Sequence, residues 1–320
     1  MGTGYLDAAR ERVVIYDGAF GTYVQQCGLT ADDFGGPALE GCNELLVATR
    51  PDVIRSMHEA FLGIGVDAIE TATFGSMAFT LAEYGIAERS EELNEQGARL
   101  AREVADAFST PDRPRWVAGS IGPGTRFPSL GTVGFAELRD AYEVQARGLL
   151  TGGVDLLLIE TVFDLLQAKA AIIGSRRAMA ASGRQVPLQV QVTVELTGRM
   201  LPGTEIAAAL AALDPMHPDV IGLNCATGPT EMGAALVTLD ALRPDVIGIN
   251  CATGPTEMHE HLRHLSQHCR VPISCLPNAG LPSVVDGKMH YDLTPEQLVE
   301  HQSRFITDLG VQVVGGCCGT

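Results

Sequence analysis

The chain runs out on "VVGGCCGT", which sets two thiols side by side at Cys317 and Cys318. Neighbouring residues on a β-strand face opposite ways, so two such thiols can meet one ion only where the backbone leaves strand geometry. Gly315, Gly316 and Gly319 are expected to allow this, because glycine reaches backbone angles closed to other residues. A thiolate from another strand end would complete a three-cysteine site with one coordination position open, the layout of a catalytic zinc centre. The sequence offers that third thiol twice. "DVIGLNCATGPTEM" begins at Asp219 and "DVIGINCATGPTEM" at Asp245, so Cys225 and Cys251 hold the same place in a phrase repeated after 26 residues. Cys251 is the preferred donor, since its loop leads directly into the next apolar run, "VPISCLPN"; Cys225 is the alternative. Cys27, Cys42, Cys269 and Cys275 lack this context and are read as packing or surface residues. His264 and His268 stand one helical turn apart but fit no zincin motif, and they read as a solvated face.

Acidic and amide side chains end the other apolar runs: Asp17 in "YDGAFGT", Glu70, Glu160 in "LLLIETVFD", and Asn278. Asp17 could do no more than close a turn. Glu160 is harder to dismiss. It follows a wholly apolar stretch, where a buried carboxylate needs a partner, and a substrate ammonium would serve.

Such residues need a scaffold that gathers strand ends. Short β-branched runs alternate with segments of helical spacing, such as "PDVIRSMHEAFLGIG" and "SEELNEQGARLAREVADAF". That alternation indicates parallel strands covered by helices. With no dinucleotide-binding fingerprint, the expectation is a (β/α)8 TIM-type barrel whose functional residues sit where strands run into βα loops. "GSIGPG" is read as a turn. There are nine candidate strands, one too many, and the excess is the repeat: residues 207–232 and 233–258 align without gaps as a duplicated βα unit. Nine closed strands require a different tilt and stagger, so one copy is expected to supply the sixth strand and the other to lie outside the barrel. No helix follows the last strand, so residues 1–320 are expected to form one domain that lacks its last helix, a piece of a longer multidomain chain.

The chain has 320 residues, 46% of them hydrophobic, enough for one large core. A net charge of −17 excludes nucleic acid and acidic membrane surfaces as partners and favours a small-molecule substrate. No signal peptide or membrane-length apolar run is seen, so a cytoplasmic location with reduced thiols is expected.

The phrases "YDGAFGT", "CNELLVATRPDVIRSMHEAFLGIGVDAIET", "GSIGPG", "LLLIETVFDLLQAKAAI", "GTEI", "IG[LI]NCATGP", "PNAGLP" and "GGCCGT" together resemble the homocysteine S-methyltransferase family, in order and over nearly the whole chain. The likeness is greatest to the cobalamin-dependent branch. It implies zinc held by Cys317, Cys318 and the Cys of "NC". It further implies that the amino group of L-homocysteine is held by Glu160 and Asp17, and its carboxylate by backbone N–H groups around Ala19 and Phe20. Methylcobalamin would then be the methyl donor, bound by another domain; the cobalamin- and folate-binding domains of that branch are absent from this chain. Betaine- and S-methylmethionine-dependent members share the pattern and are the alternative. Two further readings are a barrel with a Glu160/Asp17 acid–base pair and structural zinc, and a degenerate, non-catalytic module. The chain departs from the family pattern in the repeat itself and in "TATFG", where Ala72 replaces an Asn.

Overall fold

A computed structural model describes residues 4–195, 199–224, 246–250, 254–285 and 288–320. Each of the nine apolar runs becomes a strand: β1 (Val14–Ile15), β2 (Ala68–Glu70), β3 (Trp116–Ile121), β4 (Leu156–Val162), β5 (Leu188–Val192), β6 (Val220–Asn224), β7 (Ile247–Asn250), β8 (Ile273–Leu276) and, last in the chain, β11 (Val313–Val314). All pair in parallel, in the order β1-β11-β8-β7-β6-β5-β4-β3-β2. The ring closes through the parallel bridge Tyr16↔Ala68 and the flanking bonds Asp17 N–H to Ala68 O (3.1 Å) and Asp67 N–H to Ile15 O (2.7 Å). The two intervening short strands, β9 (Ser283–Val285) and β10 (Lys288–His290), form a separate antiparallel hairpin in the loop after β8.

The TIM-type barrel is therefore present, with one correction. Neither copy of the repeat is expelled. β6 and β7 lie side by side in the wall, with Ile221↔Ile247, Gly222↔Gly248, Leu223↔Ile249 and Asn224↔Asn250 in register. The physical reason is backbone satisfaction: a strand left outside would carry unpaired N–H and C=O groups, whereas inside the wall it has a ladder on both edges. Small inward residues make the widened ring tolerable. A Cβ on Gly248 would collide with the Ser274 side chain, so glycine there is a requirement of the fit between β7 and β8.

The barrel interior is apolar along β1–β4 and β11, where Val14, Tyr16, Ala68, Trp116, Ala118, Leu156, Leu158 and Val313 pack with Leu276 of β8. The helix Tyr5–Glu11 plugs this end, with the Tyr5 ring edge-on to Tyr16 and Trp116 at 6.2 and 6.0 Å. Beside the plug, Asp67 takes guanidinium contacts from Arg12 (2.9 Å) and Arg115 (3.4 Å). β5–β7 differ. They offer Gln189, Gln191, Val220 and Val246, and with Tyr16, Glu70 and Ser274 these enclose a chamber of about 10 Å³. That is roughly the room one water needs.

A larger apolar layer joins the outer face of the sheet to the helices. The helices Ser90–Phe108, Phe135–Gly152 and Leu165–Ser182 pack unusually close because glycines line their contacts. A Cβ on Gly148 would fall 2.5 Å from Glu91 O, and one on Gly174 would fall 2.6 Å from Arg139 O. Gly65 and Gly153 end two of the helices in left-handed conformations, φ +105° and +102°. That is the stop signal glycine provides. Among the described residues, no helix is long and apolar enough to cross a membrane.

Candidate active site at the C-terminal mouth

β1 hands the chain to Asp17, which is 5% exposed. Its Oδ2 accepts the Glu70 N–H at 3.0 Å, so the acidic ends of β1 and β2 are joined. Across the mouth, Glu160 on β4 is 8% exposed and its Oε1 accepts the Ser120 hydroxyl at 2.6 Å. Burial, more than any neighbour, pushes the Asp17 carboxyl well above the usual carboxylate range, and the charge of Glu160 adds to the effect. Glu70 is raised well above its ordinary value for the same reason, with Glu160 and Asp17 contributing. Neither Asp17 nor Glu70 has a cationic partner among the described residues. The arrangement favours a bound cation, because it would relieve both the desolvation and the mutual repulsion.

Glu160 is placed by an irregularity. The β4–β5 ladder shifts register between Ile159 and Val162, and Thr161 takes φ +58°, a left-handed value that is rare for a β-branched residue. Asn224, fully buried at the end of β6, accepts the Thr161 N–H on Oδ1 (2.8 Å) and donates from Nδ2 to Thr161 Oγ1 (2.9 Å). The Thr193 hydroxyl, one residue past the end of neighbouring β5, donates to Asn224 O at 2.8 Å.

The first and last motifs of the chain meet here. β11 stops at Val314, and the loop that follows leans on β1 and β8: Gly316 N–H donates to Asp17 O (3.2 Å), Cys317 N–H to Pro277 O (3.0 Å) and Cys318 N–H to Asn278 Oδ1 (3.1 Å). Ala279 N–H returns a bond to Cys318 O at 2.9 Å, and Gly319 N–H donates to Thr22 Oγ1 at 3.2 Å. The thiol pair does leave strand geometry, but the glycines act differently from expectation. Of the three, only Gly319 has a positive φ, +83°. Gly315 and Gly316 are needed for space; a Cβ on Gly315 would fall 2.7 Å from Tyr16 Cβ. Gly18, in the first motif, is glycine for a related reason, since a Cβ there would sit 2.8 Å from Thr320 O.

Of the residues singled out from sequence, Asp17, Glu160, Asn278, Cys317 and Cys318 lie at the C-terminal mouth, and Glu70, which ends β2, also lines the interior chamber. Ala19 is the extended residue before the helix Phe20–Gln26, which Thr22 ties to the cysteine loop. Cys225 and Cys251 lie outside the described residues; the strands leading to them, β6 and β7, end level with one another. Among the described residues there is no group of three metal-binding side chains. The two thiols on the loop are the soft donors that zinc prefers, and the strands that precede the other two cysteines end on the same face. The residues present fit the ion. Cys27 is exposed and Cys42 and Cys275 are buried, in keeping with surface and packing roles.

Sequence reasoning missed Ser120, Thr161, Asn224 and Thr22. "GSIGPG" is a turn only in its second half, because Gly119, Ser120 and Ile121 belong to β3. Ser120 could have been found by alternation: Trp116, Ala118 and Ser120 share the inward face. Ala72 is fully buried among Leu46, Val47 and Leu93, so an Asn in its place would have to bury its amide.

Fold and site define an α/β barrel with a carboxylate cluster and a thiol loop on one rim. The sequence pattern of the homocysteine S-methyltransferases matches residues 14–243 and 233–320, two passes that overlap inside the repeat. The chain is 48% identical over 318 residues to the methionine synthases of Mycobacterium tuberculosis and Mycobacterium leprae; the match takes in 99% of this chain and 24% of each relative. It thus spans about a quarter of the length of these relatives. Among solved structures, the metallated form of the Escherichia coli homocysteine methyltransferase MmuM superposes with a TM-score of 0.60 at 20% identity, over 97% of this chain and 92% of that one. The chain belongs to the homocysteine S-methyltransferase family.

Proposed function

We propose that this chain is the homocysteine module of a cobalamin-dependent methionine synthase, a single domain of a longer cytoplasmic protein, and that it promotes zinc-dependent methyl transfer to the thiol of L-homocysteine. The observation that carries this reading is the meeting of Asp17 with the Cys317–Cys318 loop on one rim, opposite Glu160. An amino acid with a thiol side chain spans such a rim. Its ammonium is held by Glu160 and by Asp17, whose carboxyl is desolvated by burial, and its carboxylate by the N–H groups around Ala19 and Phe20 at a helix start. Its sulfur then lies toward Cys317, Cys318 and the third thiol, Cys251 or alternatively Cys225.

A free alkyl thiol with a pKa near ~8.5 is mostly protonated at neutral pH, while the thiolate is the nucleophile. Cys317, Cys318 and the third thiol would hold zinc, which when bound would supply that thiolate, since a coordinated thiol is deprotonated. The chain's own work is to fix the amino acid by both charged ends and to keep the sulfur at the mouth, where a donor can reach it. The methyl donor, methylcobalamin, is supplied by another domain, as the relatives' greater length allows.

Cys251 is favoured as third donor because β7 stands two strands from β11, and β6 stands three. With strands spaced about 4.8 Å, the difference is one strand width. The test is zinc content of the purified chain and of Cys251→Ser and Cys225→Ser, with homocysteine titrated into each by calorimetry. About one zinc per chain, lost in Cys251→Ser and kept in Cys225→Ser, is expected. Loss in Cys225→Ser alone would move the donor to the first copy. A parent chain that binds neither zinc nor homocysteine would overturn the reading.

A further inference from the structure

We infer that the two copies of the repeat divide the work of one phrase: Asn224, from the first copy, is the positioning residue for Glu160, and the second copy is left to deliver the thiol. The inference deepens the homocysteine reading above and rests on it only for the ligand used in the assay.

Glu160 and Thr161 fall where the β4–β5 ladder shifts register. Thr161 nevertheless keeps a left-handed backbone without being glycine. Such an angle persists only where the surroundings over-determine it. Asn224 does so by gripping Thr161 through both the backbone N–H and the hydroxyl, at 2.8 and 2.9 Å, while Thr193 anchors the Asn224 carbonyl. The carboxylate one residue back is aimed by that grip. The second copy stands one strand further off: Asn250 is in register with Asn224 but on β7, so β6 as well as β5 lies between it and β4, whereas only β5 separates Asn224 from β4. The added strand width of about 4.8 Å is more than a hydrogen bond spans. Conversely β7 neighbours β8, which neighbours β11 and the cysteine loop. In a barrel with a single phrase, one strand must serve both sides; here each copy stands one strand nearer to one of the two tasks.

The test compares Asn224→Ala with Asn250→Ala in the full chain by three readouts: hydrogen exchange at the Thr161 amide, homocysteine dissociation constant, and zinc content. Asn224→Ala should speed Thr161 exchange and weaken homocysteine about tenfold, the effect of losing two buried hydrogen bonds, with zinc retained. Asn250→Ala should change neither by more than about twofold. In a Thr161→Gly background, where the left-handed angle needs no support, Asn224→Ala should weaken homocysteine by no more than about threefold. That relief separates positioning from general loss of packing. Should Asn224→Ala fail to fold, Thr161→Ala breaks the hydroxyl contact from the other side and should raise the dissociation constant in the same direction. Equal effects of the two Asn variants, unchanged Thr161 exchange in Asn224→Ala, or no relief from Thr161→Gly would each overturn the inference. If the parent binds no homocysteine, the proposed function falls, and the exchange measurement still decides the role of Asn224.

Discussion

The two halves of the barrel wall are built on different terms. From β1 to β4 the interior is filled by Tyr16, Trp116, Leu156 and Leu158, and the covering helices are locked together through Gly148, Gly152 and Gly174. From β5 to β8 the interior holds Gln189, Gln191, Val220, Val246 and two glycines around a small chamber, and a whole βα unit occurs twice. The first half carries the carboxylates that must be held in fixed positions. The second brings in the strand ends that lead to cysteines. A jigsaw interior resists insertion, because every inward residue meets a specific neighbour. A wall lined by glycine and valine can admit an extra strand without expelling anything large.

Stability measurements should expose this contrast. The largest loss is expected for Leu158→Ala, about 3–4 kcal/mol by denaturant unfolding, as for a fully enclosed leucine. Next comes acid. His58, on the helix Pro51–Ile64, is buried and has no hydrogen-bond partner for either ring nitrogen among the described residues, and burial pulls its pKa from 6.5 down to about 4. Its folded form is neutral, so the stability it allows is complete above pH 6.5 and is lost as pH falls toward 4, by about 3 kcal/mol. His58→Leu should flatten that part of the stability–pH curve. Gly148→Ala should cost about 2 kcal/mol despite alanine's better helix propensity, since the new methyl meets the Glu91 carbonyl. Val246→Ala, in the looser half, should cost only about 1 kcal/mol. The smallest change is expected for deletion of residues 233–258, which should leave an eight-stranded barrel with its melting temperature nearly unchanged. Should Val246→Ala cost as much as Leu158→Ala, or the deletion unfold the chain, the distinction between the halves is wrong.

Much of the scaffold was legible in the residues. β-branched runs, helical spacing and glycine stops located all nine strands and the long helices, because parallel strands buried on both faces read as unbroken apolar runs. The strand-end positions of Asp17, Glu160, Cys317 and Cys318 could be read because polar residues ending such runs are conspicuous. The fate of the repeat was not legible. Whether a second identical strand is admitted depends on what lines the inside of the ring, such as Ser274 opposite Gly248, and no local pattern states that. The left-handed angle at Thr161 was hidden too, because its cause lies on Asn224, 63 residues further along the chain. Gly315 and Gly316 show a third limit: glycine signals an exception without saying whether the exception is an angle or a lack of room.

The desolvated carboxyls at the mouth have a consequence beyond geometry. Burial raises the proton affinity of Asp17 and Glu70 above that of ordinary carboxyls, which gives this rim the character of a weak-acid ion-exchange resin. Because their folded affinities for protons are raised, this contribution to stability is present at low pH and drains away as pH rises through the folded values. An ammonium ion held there, as proposed above, would favour the release of those protons. Loading the pocket would therefore acidify the medium, and the heat of that exchange would change with the buffer that receives the protons.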